Sequence, residues 1–128
     1  MKRKSFLFDI HGTNTIKNDA ADVYIGTDNG NSVLRLFTSD PCAVFGRRSL
    51  RGLVQAAGYV VSPPRQGIAE NPQVDGGFTT QTYGSSHAGG LDAMQLEIAH
   101  PIRQSEPGRK AFIEHLGRAI ASLSARLL

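Results

Sequence analysis

Three residues have the types and spacing of a hydrolytic site: His11 at the end of a short apolar run, Asp9 two positions before it, and Glu97 within Met94-Gln-Leu-Glu-Ile-Ala99. A carboxylate among apolar neighbours is costly unless it is paired. Desolvation also raises a carboxyl pKa, which prepares a glutamate to take a proton from water and return it to a leaving amine. Glu97 is therefore read as a catalytic proton carrier. The other reading is an exposed position on a sheet with one wet face. An imidazole at a strand end is a metal-ligand type placed where open α/β sheets gather their ligands, outside the carboxyl ends of strands. Asp9, on the same side of the strand, would orient His11 or support a metal from behind it. Against this stands the plain reading of His11 as a surface histidine.

The elements that must position these groups follow from periodicity. Ser5 to Ile10 reads as a short, central, buried strand ended by His11-Gly12, and Asp22–Gly26 reads as a second strand closed by a Thr27–Asn31 turn. Val44 to Ala57 has the apolar spacing of one amphipathic helix, started near Ser39-Asp40-Pro41 and stopped by Gly58. Tyr59–Val61 is a strand candidate. Pro63 onward is an irregular loop of Gly, Pro, Asn and Gln, of the kind that often borders a site. Ala93–Ala99 is a strand, with Met94, Leu96 and Ile98 on one face and Gln95 and Glu97 on the other. Ser105-Glu106-Pro107 starts a packing helix that runs to Leu128, with Phe112, Leu116, Ile120 and Leu123 at helical spacing. This order predicts one α/β domain over residues 1–128, an open mixed sheet with helices on its faces.

Composition narrows the function classes. A chain of 128 residues, 40% hydrophobic and 20% charged, fits one soluble domain that buries roughly two thirds of its unfolded surface. The single Cys42 forms no internal disulfide and reads as a small buried hydrophobe, and the basic start Met1–Lys4 precedes too short an apolar run for export. A cytoplasmic location is expected, with no membrane contact, since no apolar stretch approaches the roughly 20 residues of a span. The net charge of +3 is mild, and Arg47, Arg48 and Arg51, with no interleaved aromatics, read as a solvated helix face; no nucleic-acid partner is expected. His87 and His100 lack metal-ligand spacing. Ser85 and Ser86 lack a nucleophile elbow, and no phosphate-binding glycine motif is present.

Four blocks, taken together, resemble the N-formylglutamate amidohydrolase family: Leu7-Phe-Asp-Ile-His-Gly12, Val23-Tyr-Ile-Gly-Thr-Asp-Asn-Gly30, Gly76-Gly-Phe-Thr-Thr-Gln-Thr-Tyr-Gly84 and Leu91-Asp-Ala-Met-Gln-Leu-Glu-Ile98. The last two are the most specific. The resemblance implies a zinc-carboxypeptidase-like fold, shared with aspartoacylase, and zinc-dependent hydrolysis of an amide in an N-acyl amino acid such as N-formylglutamate. It further implies His11 as a Zn2+ ligand, Glu97 as the proton carrier for the attacking water, Asp9 behind the metal, and Thr80, Gln81 and Tyr83 at the anionic substrate. Two departures carry expectations of their own. The family's further zinc ligands, a His and an acidic residue, precede the Asp-x-His block, and here little sequence does. A domain incomplete on its N-terminal side, prone to self-association, is therefore expected. Gln81 stands where the family commonly has Arg, so that a charge-assisted clamp on the substrate carboxylate is lost unless Arg35, Arg65 or Arg103 replaces it. The alternative to an enzyme is a non-catalytic remnant that binds a small carboxylate or a partner chain.

Overall fold

The computed structural model describes residues 5–128; the basic start Met1–Lys4 lies outside the described residues. Four strands make one mixed sheet in the order β1-β4-β2-β3: β1 Phe6–Thr13, β2 Val23–Gly26, β3 Val61–Ser62 and β4 Asp92–Ala99. β4 runs parallel to β1 and antiparallel to β2, and β2 runs parallel to β3. The mixed α/β architecture expected from the sequence is present. β1, however, is an edge strand and not a central one. It also continues through His11 and Gly12 to Thr13, because all eight of its residues find register partners on β4.

The two sheet faces differ in chemistry. On one, Met94, Leu96 and Ile98 of β4 meet Val23 and Ile25 of β2 and join a core with Phe112, Leu116, Ala119 and Leu123. Those four residues come from the long helix α6, Glu106–Leu127, whose N-cap Ser105 accepts a hydrogen bond from the Gly108 amide. Burying such a stripe is what stabilises an amphipathic helix in a domain. The other face carries Asp9, His11, Gln95, Glu97 and Tyr24, with a small apolar group of Ala21, Tyr24, Val74 and Ala99. The Tyr24 hydroxyl accepts from the Ile16 and Ala21 amides and donates to the Asp19 carbonyl, which secures the connection between β1 and β2.

The helix expected over 44–57 is divided. After α1, Leu34–Ser39, which no sequence signal announced, come α2, Pro41–Phe45, and α3, Leu50–Ala56. Ser49 restarts the helix by accepting the Gly52 amide, and Gly46 ends α2 in an extended conformation. A side chain at Gly52 would collide with the Gly46 and Arg47 carbonyls, so the break folds tightly onto α3. Gly58, at φ 100°, ends α3 as expected. Cys42 is exposed, on the outer side of α2, and not a buried hydrophobe. Phe78–Tyr83 forms a short helix, α4, and His100–Arg103 forms another, α5. No helix among the described residues is long and apolar enough to cross a membrane.

The arginine cluster is likewise divided. Arg47 and Arg48 are exposed, but Arg51 is only 2% exposed. Its guanidinium lies 4.9 Å from the Phe45 ring centre and donates to the Pro63 carbonyl. Burial lowers its pKa to about 10, against a weaker opposing pull from Glu70. Arg51→Met should therefore lower the stability of the chain by about 1–3 kcal/mol in urea unfolding, the cost typical of lost buried polar contacts. Arg47→Met and Arg48→Met should stay within about 0.5 kcal/mol of the parent, as exposed positions do.

Candidate functional site

Register brings the sequence candidates together. Asp9 and His11 on β1 stand opposite Gln95 and Glu97 on β4, and Tyr24 of β2 stands on the far side of Glu97. In a parallel pair, residues in register share a face, so both carboxylates and the imidazole occupy the polar side of the sheet. The His11 ring nitrogen Nε2 lies 2.8 Å from the Asp9 carboxylate, with the His11 side chain 48% exposed. The hydrogen bond to Asp9 raises the His11 pKa above its ordinary 6.5; partial burial opposes it, and the negative charges of Asp9 and Glu97 add to it.

Glu97 is half-buried, and its Oε1 accepts a 2.9 Å hydrogen bond from the Gln95 amide. Gln95 in turn accepts from the Gly77 backbone N–H at 2.5 Å and is only 6% exposed. The sequence put Gln95 on the face of Glu97 but gave it no role. Its two amide ends in fact tie the loop to the carboxylate. That approach depends on two missing side chains. A Cβ at Gly26 would sit 2.4 Å from the Val74 carbonyl and 2.5 Å from the Gly76 nitrogen, and one at Gly77 would meet Gln95 Oε1 at 2.7 Å.

The segment from Gly76 to Gly84 is held by its own groups. Thr80 is fully buried and donates to the Gly77 carbonyl at 3.0 Å, so its hydroxyl supports the loop from inside. Gln81 donates to the Gly76 carbonyl at 2.9 Å, while Tyr83 is exposed beside Phe78. His87 reaches the Gln81 carbonyl at 2.7 Å, and His100 opens α5 as an exposed residue. Arg35 donates to the Gly90 carbonyl, and Arg103 to the Ile98 and Thr13 carbonyls. Their bonds are to backbone, and Arg65 is exposed.

One buried group escaped the sequence altogether. Glu70 lies in the irregular loop, where no spacing or periodicity marks it. Its carboxylate accepts from the Thr27 amide, the Thr27 hydroxyl and the Asn29 amide, and its own N–H donates to the Asn29 side chain. Burial raises its pKa, and these hydrogen bonds work against the rise. The clamp fixes the turn after β2, where Asp28, Asn29 and Gly30 all have positive φ. A cavity of about 450 Å³ opens beside it between Phe37, Phe45, Ile68 and Glu70, and none of Asp9, His11, Gln95 and Glu97 lines it.

A catalytic zinc ion sets a minimum on the donor set. Such an ion usually takes three protein ligands. Among the described residues no group of three or more His, Cys, Asp or Glu side chains stands close enough to hold a metal, and Asp9 is engaged with His11 itself. These residues alone do not fit a catalytic zinc centre.

A scan of protein-family profiles finds no match to the sequence, and a search of curated proteins finds none either. Among solved structures, the chain is similar to the crystal structure of N-formylglutamate amidohydrolase from Ralstonia eutropha JMP134. The TM-score is 0.60 at 15% identity, covering 95% of this chain and 43% of that one. At that identity the likeness shows a shared fold. The chain spans less than half the length of that enzyme.

Two measurements check the geometry. In a nuclear magnetic resonance titration, Asp9→Asn should bring the His11 pKa down toward 6.5 by removing its main stabilising contact. Because the folded value is raised, the pair's small contribution to stability is present below pH 6.5 and fades as pH climbs through the folded pKa; Asp9→Asn should remove this pH dependence. Gly26→Ala should cost about 1–3 kcal/mol by overpacking against backbone. It should also speed hydrogen exchange at the Gly77 amide, whose acceptor is Gln95.

Proposed function

We propose that this chain supplies the proton-handling side of a hydrolytic site that cleaves the amide of an N-acyl amino acid, with N-formylglutamate-like compounds as the substrate class. The observation that carries the reading is the alignment of His11 with Glu97 across β1 and β4, on the fold shared with an N-formylglutamate amidohydrolase. Glu97 takes a proton from water as the oxygen attacks the carbonyl carbon, and gives it to the departing nitrogen as the C–N bond breaks. Gln95 holds one carboxylate oxygen, which leaves the other for the water. His11, held by Asp9, faces the charge that develops on the carbonyl oxygen. Gln81 and Tyr83, on α4, are assigned to the carboxylate end of the substrate, with Thr80 bracing the turn beneath them. Zn2+ enters this proposal only where ligands from beyond the described residues join His11, and no step is assigned to it.

A second reading rests on the described residues, among which no three-ligand group forms: a non-catalytic domain that retains the polar face and binds a small carboxylate. The two separate in one assay. The purified chain, with and without added zinc, is incubated with N-formylglutamate and a panel of acyl amino acids, and amine release is followed. Hydrolysis that falls by about 10²–10⁴-fold in Glu97→Gln supports the enzyme. Hydrolysis indifferent to Glu97→Gln sinks it, and saturable carboxylate binding without any turnover establishes the second reading.

A further inference from the structure

On the face of the sheet opposite Gln95 and Glu97, the outer edge of β1 opens onto a groove of about 550 Å³. Its floor is apolar. Ile10 and Ile98 come from the strands and Phe112, Ile113 and Leu116 from α6, with Ile10 53% and Ile113 65% exposed. β1 pairs with β4 on one side, and among the described residues no strand pairs with its other side. An unpaired edge beside exposed apolar side chains is a template for an added strand.

The rim sets the charge of the occupant. Arg103 and Arg109 stand at the groove beside His11 and Gly12, so one end of it adjoins the imidazole of the polar face, and no aspartate or glutamate lines it. Among the described residues neither guanidinium has a carboxylate within ion-pair distance; their hydrogen bonds go to the carbonyls of Ile98, Thr13 and Arg103. Gly12 lets Arg103 reach this position, since a Cβ there would lie 2.7 Å from the guanidinium carbon. Two guanidinium groups at the end of an apolar edge call for a carboxylate. The geometry points to one occupant: an extended segment of a partner protein that pairs with the β1 edge, lays apolar side chains over Ile10 and Ile113, and sets a carboxylate against Arg103 and Arg109. This is strand addition with a charge at the end of the pocket.

The probe is a fluorescein-labelled peptide, Asp-Thr-Val-Thr-Val-Thr-Asp, whose one face reads Asp, Val, Val, Asp in either direction. Saturable binding to the full chain is expected by fluorescence anisotropy, together with slowed amide exchange on β1. Replacing the end aspartates by lysine should weaken binding at least about tenfold, as should Ile113→Asp or Arg109→Glu in the protein. Both protein positions lie on the solvent side of α6, and either variant serves if the other disturbs the fold. The proposal is overturned by equal binding of the lysine peptide, by binding that both variants leave unchanged, or by binding without protection of β1. Absence of binding overturns it as well. So does a concentration-dependent dimer in sedimentation that buries β1 and excludes the peptide, which would make a second copy the occupant.

Discussion

Strand β4 is held between neighbours of opposite sense, parallel to β1 and antiparallel to β2, and both registers are set by the same alternation of side chains. Met94, Leu96 and Ile98 enter the core under α6, and this leaves Gln95 and Glu97 no place but the opposite face. A slip of one residue would put a carboxylate among Phe112 and Leu116 and expose three large apolar side chains. The burial of three hydrophobes thus fixes where Glu97 stands. Its partners at the same level, His11 and Tyr24, are fixed by the same constraint.

The polar face is organised by contacts that span long stretches of chain. Gln95 couples the Gly77 amide to the Glu97 carboxylate, so the position of the glycine loop and the orientation of the carboxylate are one problem. Glu70 plays the corresponding part on the other side of β2, where its carboxylate gathers three donors from the Thr27–Asn29 turn. Both devices need backbone to approach closely. Gly26 and Gly77 permit the first, and the positive φ values at Asp28 to Gly30 shape the turn that permits the second.

The alternation in β4, the helical stripe of α6 and the caps at Ser105 and Gly58 were legible in the sequence because each is a local pattern with one physical meaning. The placing of His11 beside Glu97 was legible only through the four blocks taken together, since register between strands is not written in either strand. What stayed hidden was tertiary. The edge position of β1 follows from which strands pair, the break at Gly46–Ser49 follows from how α2 folds back on Gly52, and the burial of Arg51 follows from Phe45 and Pro63 closing over it. Glu70 and Gln95 carry no signature as single residues; their roles arise from loops that arrive from elsewhere.

The parallel pairing of β1 with β4 has a kinetic side. About two thirds of the chain lies between His11 and Glu97, so their alignment has a high contact order and waits on one of the longer loop closures the fold contains. Release of β1 separates the imidazole from the carboxylate while β4, β2 and α6 remain packed. The alignment of Asp9 and His11 with Gln95 and Glu97 thus depends on the pairing of a single edge strand.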